Sequence, residues 1–228
     1  GRFSEGFRKV EKQTVMKKRS FKPGTMLNPV PVVMVSCGDV NHGNIITVAW
    51  TGIVNSDPPM TYVSIRKERY SHEIIKNAGD FVINLTTEEL TFATDYCGVK
   101  SGRDTDKFKE QKLTPLPAEK VKAPLIAQSP VNLECKVKEI HEYGSHDMFI
   151  AEIVNVQAAE EWIDETGRIR LDKAGLICYN HGEYFGLRRQ PLGRFGFSVM
   201  KPKTKKRLAA EQRRNTFRKK KQSRGRRL

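Results

Sequence analysis

Two β-type arms around one tight turn constrain this chain more than any other feature. Residues 131–143 and 146–156 alternate apolar and polar side chains, and Tyr143-Gly144-Ser145 marks the turn between them. Period-two alternation sends one face of each arm into a core, and so short a link makes the arms an antiparallel hairpin. The theme recurs along the chain. Val30–Cys37 is a β-branched run, and Asn44–Thr51 follows it after a Gly38–Gly43 turn. Asn55-Ser56-Asp57-Pro58-Pro59 breaks the chain before Met60–Arg66, because consecutive prolines fix φ and remove donors. Phe81–Leu85 is a fourth strand, and His181-Gly182 turns between Leu176–Tyr179 and Glu183–Leu187. Ser71 reads as the N-cap of a helix that buries Ile74 and Ile75 and stops at Gly79. Glu88–Tyr96 has helical spacing, Ser101–Glu110 is polar around Phe108, and Leu113–Pro130 holds four prolines and reads as a surface loop. The sum is a mainly β fold, a closed or partly closed β-barrel with short helices, rather than a doubly wound sheet.

The charge sits at the ends. Residues 1–22 hold eight Lys/Arg against two Glu, and residues 201–228 hold fourteen against one. The body between them carries 19 basic and 23 acidic residues, so the net +15 does not describe the folded part. Residues 1–21 read as a basic extension, with Met16 a candidate start and the preceding residues an appended segment. Residues 200–228 read as a solvated, disordered like-charge block. That block suits a solubilising tail, or nucleic acid held by counterion release. Phe217 is its only aromatic residue, so it lacks the stacking platforms of single-strand binders.

Cys37, Cys97, Cys135 and Cys178 are widely spaced, without Cys-x-x-Cys or paired His spacing, so no metal site is expected. No signal-peptide core and no apolar run of about 18 residues is present, and a cytoplasmic protein with reduced thiols is expected.

Neither a Rossmann fingerprint nor a P-loop occurs. A phosphate could instead meet Arg66, Arg69 and Ser71, which lie between a strand and a helix start. The same residues also suit an ordinary solvated turn with its cap. In Thr47-Val48-Ala49-Trp50, strand alternation puts Thr47 and Ala49 on one face, where a small residue lets a planar ring approach the backbone. Taken alone, the segment is more often routine strand alternation.

Several segments in order resemble the flavin reductase-like family, proteins that bind FMN in a split β-barrel. They are Pro29-x-Pro31, Asn44-x-x-Thr-x-Ala-Trp50, Asp57-Pro-Pro, Ser64-Ile-Arg with Tyr70-Ser71, Phe81-Val-Ile-Asn84, and Ser101-Gly-Arg-Asp with Asp106-Lys-Phe108. Gly144-Ser-His-Asp with Phe149-x-Ala-Glu152, and Tyr179-x-His-Gly-Glu-Tyr184, complete the set. The resemblance spans residues 22–199, is nearest to the flavoredoxin type, and implies an FMN-binding split barrel of Greek-key-like topology. It implies that Asn44, Thr47, Val48, Ala49 and Trp50 lie along the flavin ring and ribityl chain, and that Ser64, Arg66, Arg69 and Ser71 hold the phosphate. Asn28, Lys107 and Tyr184 correspond to positions near the flavin, and His146 to the histidine of a Gly-Asp-His segment in which Ser145 replaces Asp. His146 is thus the candidate catalytic residue.

The family also implies a homodimer with FMN near the subunit interface. Two redox functions are compatible with it: an NAD(P)H-dependent flavin reductase, and an electron carrier between redox proteins without NAD(P)H activity. A third reading is a nucleic-acid-associated protein acting through residues 201–228.

Overall fold

The computed structural model describes residues 15–225. The predicted extension at 1–21 falls outside the described residues as far as residue 14; residues 15–21 are exposed and irregular. In chain order the strands are β1 (Val30–Pro31), β2 (Val33–Gly38), β3 (Gly43–Val48), β4 (Thr51–Ser56) and β5 (Pro59–Arg66). Helix α1 (Tyr70–Ala78) and β6 (Asp80–Leu85) follow, then α2 (Thr91–Val99), α3 (Lys107–Glu110) and the short strands β7 (Pro115–Leu116) and β8 (Leu125–Ile126). The long hairpin is β9 (Val131–Glu142) and β10 (His146–Ala158), and β11 (Ile177–Asn180) and β12 (Glu183–Gly186) form a smaller one. The last helix is α4 (Pro202–Gly225).

Seven strands make one antiparallel sheet in the spatial order β3-β2-β6-β9-β10-β5-β4. Strands β3 and β4 are its two edges, yet only Ala49 and Trp50 separate them in sequence. Three peptide links reach at most about 11 Å, so the two edges must come together and the sheet curls into a barrel. The seam is not laddered. Instead the Ser64 amide donates to the Trp50 carbonyl across 2.9 Å, which ties the bend to β5. This corrects the single strand expected over Asn44–Thr51: the chain leaves the strand at Ala49 because it has to cross from one edge to the other.

Strand β2 is buried on both faces. Val33, Val35 and Cys37 point into the barrel core with Ile46, Val63 and Phe149, while Met34 packs on the outside against Leu90, Ala93 and Phe108. A strand covered on both faces buries its side chains on alternate sides, which explains the mostly apolar run; its polar side chain, Ser36, is buried with its hydroxyl donating to the Pro124 carbonyl.

Three expectations are corrected. Arg69, not Ser71, is the N-cap of α1, in extended geometry; Ser71 lies inside the first turn with its hydroxyl buried. Gly79 does stop α1 as expected, in the left-handed conformation at φ 73°. The stretch 113–130 is not a plain surface loop: Ala123, Leu125 and Ile126 are buried over β6. Asp80 and Asn84 hold it there by accepting from the amides of Lys122 (2.9 Å) and Ile126 (3.0 Å). Residues 202–225 form a helix rather than a disordered block. Lys, Arg, Ala, Glu and Gln are strong helix formers, and their propensity carries the segment without an apolar face. Among the described residues no helix is long and apolar enough to cross a membrane, and no cluster of metal-ligating side chains occurs.

Candidate functional site

Barrel closure leaves a cavity of about 390 Å³ at the seam. One wall is the end of β3 and the bend after it, Ile46 to Trp50. The second is the end of β5, Ser64 to Arg66, with Arg69 just beyond. His146, the first residue of β10, stands between them, and the β11–β12 tip closes one side with Tyr179, His181 and Gly182. The register of β5 and β10 sets the key pair: His146 lies directly across from Arg66.

The Trp50 and His146 rings lie with centroids 4.6 Å apart, tilted by 39°, and Trp50 remains 42% exposed. Ser145 Oγ is 2.8 Å from His146 Nδ1, so the serine at the family's Asp position is the imidazole's hydrogen-bond partner. Burial, reinforced by the nearby Arg66 charge and opposed by Glu68, holds the His146 pKa below its ordinary value. The ring is therefore neutral at neutral pH and can both donate and accept. Arg69 donates from Nη2 to the Gly98 carbonyl at 2.9 Å, which fixes its guanidinium at the cavity edge. Arg66 is half-exposed, with Glu68 3.6 Å away.

Of the predicted residues, Asn28, Thr47, Val48, Ala49, Trp50, Ser64, Arg66, Arg69 and His146 line this cavity. Asn44, Ser71, Lys107 and Tyr184 are not among its lining residues. Asn44 donates from Nδ2 to Ser71 Oγ (2.8 Å), and both side chains are buried. Lys107 is 2% exposed and donates to the carbonyls of Ile45 (2.7 Å) and Cys97 (2.9 Å). Its ammonium therefore braces the back of β3 and the end of α2. Burial lowers its pKa to about 8. Tyr184 donates to Asp95 Oδ1 (2.8 Å) and meets Tyr179 edge-on; burial, then Asp95, raises its pKa.

Sequence reasoning missed the hairpin tip as part of the wall. Asn28 Oδ1 accepts from the His181 amide at 3.0 Å, and β1 pairs with β11, so residues 28–31 carry the tip to the cavity. Its traces in the sequence are the His181-Gly182 turn and the Tyr179–Tyr184 segment of the family resemblance.

A family model described as "Flavin reductase like domain" matches residues 25–188. The chain belongs to that family. Flavin-based redox function comes with membership, and a planar, partly apolar, anionic cofactor fits a cavity walled by Val48, Trp50 and two arginines. The fold of this flavin reductase-like chain is similar to flavoredoxin of Desulfovibrio vulgaris (Miyazaki F), with TM-score 0.74 and 30% identity, covering 80% of this chain and 100% of that one. It shares its fold with an FMN-binding protein from Thermus thermophilus solved with bound 1-cyclohex-2-enone, at TM-score 0.66 and 23% identity, covering 80% and 100%. In sequence it is 29% identical over 140 residues to the reductase component of a 4-nitrophenol 4-monooxygenase/4-nitrocatechol 2-monooxygenase of Rhodococcus opacus, covering 59% of this chain and 68% of that protein.

Proposed function

We propose that the protein binds FMN at the barrel seam and reduces it with NADH or NADPH, as a flavin reductase. The carrying observation is the seam cavity, where Trp50 and Val48 face inward on one side and Arg66 and Arg69 on the other. When bound, the flavin supplies the hydride and electron chemistry. The chain's own residues bind, orient and exclude water. Val48, Ala49 and Trp50 offer the ring an apolar wall beside exposed strand backbone. Arg66, Arg69 and Ser64 offer the phosphate charge-assisted donors. Neutral His146, oriented by Ser145, offers the ring a hydrogen-bond partner without adding charge. No side chain has to act as a nucleophile.

A second reading keeps FMN and drops NAD(P)H: an electron carrier serving a redox-protein partner. The likeness to flavoredoxin, which covers the whole of that chain, favours it. Adding NADH or NADPH to FMN-loaded protein without a partner separates the two. Rapid loss of visible flavin absorption with either donor supports the reductase. A flavin that responds only to a chemical reductant supports the carrier. Protein that neither retains colour nor alters FMN fluorescence sinks both.

The reading includes a cytoplasmic homodimer. Ile53 is 72% exposed and Val54 48% exposed on the edge strand β4, just beyond Trp50. A second copy would cover these side chains and the cavity mouth together, and light scattering of the purified protein measures whether one does.

A further inference from the structure

A second, larger cavity of about 1010 Å³ opens at the base of the β11–β12 hairpin, where the Leu187 amide donates to the Leu176 carbonyl. Its lining is cationic. Arg168, Lys173, Arg188, Arg189 and Arg194 all border it. Two carboxylates do so as well, Asp172 and Glu88. Asp172 is already neutralised by Arg170, which donates to it from Nε (2.8 Å) and Nη2 (2.6 Å). The Arg168 charge acts on Asp172 as well, whereas Lys173, Arg188, Arg189 and Arg194 form no ion pair or side-chain hydrogen bond among the described residues.

Unpaired like charges gathered around a concavity repel one another and focus a positive field into it. Arginine forks match phosphate oxygens two at a time. The remaining lining, Leu171, Leu176, Leu187 and Pro191, is apolar, which suits a base and sugar better than a bare inorganic anion. The hairpin links this cavity to the site already described. Its tip, His181-Gly182, lines the seam cavity, and its base lines this one. Five strand residues at about 3.4 Å each set the two about 17 Å apart, the scale of an extended dinucleotide.

We propose that this second cavity binds the phosphorylated end of a nucleotide, and that the adenosine 2′-phosphate of NADPH is its source. The anion site stands on its own lining, whereas NADPH as source rests on the reductase reading. The test is calorimetric titration of the full-length protein with 2′,5′-ADP and, separately, with inorganic phosphate, with and without saturating FMN. The expected result is saturable 2′,5′-ADP binding, at least tenfold tighter than inorganic phosphate and unaffected by FMN. An Arg188→Gln/Arg189→Gln variant, whose side chains are exposed, loses at least tenfold in 2′,5′-ADP affinity and keeps its FMN affinity. Its KM for NADPH rises by a similar factor, while its KM for NADH does not. No saturable binding, or equal affinity for inorganic phosphate, would overturn the proposal. Unchanged affinity in the variant would also overturn it, by assigning the anion to residues 201–228 or to the seam arginines. The titration requires no flavin reduction. A protein that binds 2′,5′-ADP through Arg188 and Arg189 yet is reduced by neither donor refutes the reductase reading and leaves the anion site intact.

Discussion

His72 Nε2 and Asp147 Oδ2 lie 2.7 Å apart, and the two residues are 5% and 2% exposed. His72 belongs to the first turn of α1; Asp147 follows His146 in β10 and pairs in register with Ile65. The other Asp147 oxygen has no hydrogen bond but lies 3.4 Å from Lys67 Nζ, and His72 meets Phe149 edge-on. One buried carboxylate thus ties the 66–70 turn to the strand that carries His146.

Breaking that tie is expected to loosen the arginine turn against the imidazole. Asp147→Ala leaves the buried His72 Nε2 without its hydrogen-bond partner and should cost about 1–3 kcal/mol of stability, measured by urea unfolding. Asp147→Asn, which keeps the shape, should weaken FMN binding more than riboflavin binding, because the displaced groups are those facing the phosphate. An equal loss for both ligands contradicts a role in placing the arginines.

Arg69 has two functions in this geometry, capping Gly98 and facing the cavity. Arg69→Gln is expected to remove about 1.5–3 kcal/mol of charge-assisted hydrogen bonding, roughly a 10- to 100-fold loss in FMN affinity. Riboflavin, which lacks the phosphate, should lose much less. Fluorescence titration with both ligands checks the difference.

Lys107 gives a prediction in pH. Its pKa falls from 10.5 to about 8 on folding, chiefly through burial. Between those values the unfolded chain holds a proton that the folded chain does not, so this residue makes stability rise with pH across that window. Buried thiols such as Cys97, whose pKa is raised to about 11 by burial, act in the opposite direction above pH 9. The measurement is therefore the difference in unfolding free energy between wild type and Lys107→Met from pH 7 to 10. Lys107→Met also orphans the Ile45 and Cys97 carbonyls, at about 1–3 kcal/mol each. A difference that does not change with pH contradicts the assignment.

Glu134 is buried and accepts from the Lys120 amide (2.6 Å) and from Gln157 Nε2 (3.0 Å), with Asn155 as a further donor. Desolvation pushes its pKa up, but these hydrogen bonds outweigh it and hold it below the ordinary value. Its contribution is therefore present above the unfolded-state pKa of about 4.5 and is lost as pH falls through the folded one. Glu134→Gln should lower stability at pH 7 and flatten the acid limb of the stability curve, as acid titration followed by circular dichroism would record.

The barrel was legible in the sequence wherever alternation and turn chemistry agreed, as in the 131–156 hairpin and at Gly79. The seam was legible only through the family's ordered motifs. Nothing local in Val48-Ala49-Trp50-Thr51 says that a two-residue bend joins opposite edges of the sheet, because that is a property of strand order. The same limit explains Asn44, Ser71, Lys107 and Tyr184. Their motifs mark residues near the site, but spacing does not distinguish a wall from the brace behind it, and Lys107 is the brace. The prolines of the 113–130 stretch conceal a buried segment, because its partners, Asp80 and Asn84, lie 43 and 42 residues away in sequence. In the C-terminal charge block composition argues for solvation while propensity argues for helix, and the segment is helical over Pro202–Gly225.

Titration of FMN fluorescence against the purified protein tests the seam site most directly. Saturable quenching is expected, with riboflavin bound at least tenfold more weakly and the FMN preference lost in an Arg66→Gln/Arg69→Gln variant. FMN fluorescence that stays unchanged, or a variant that binds FMN as tightly as the wild type, would contradict a flavin held between Trp50 and the two arginines.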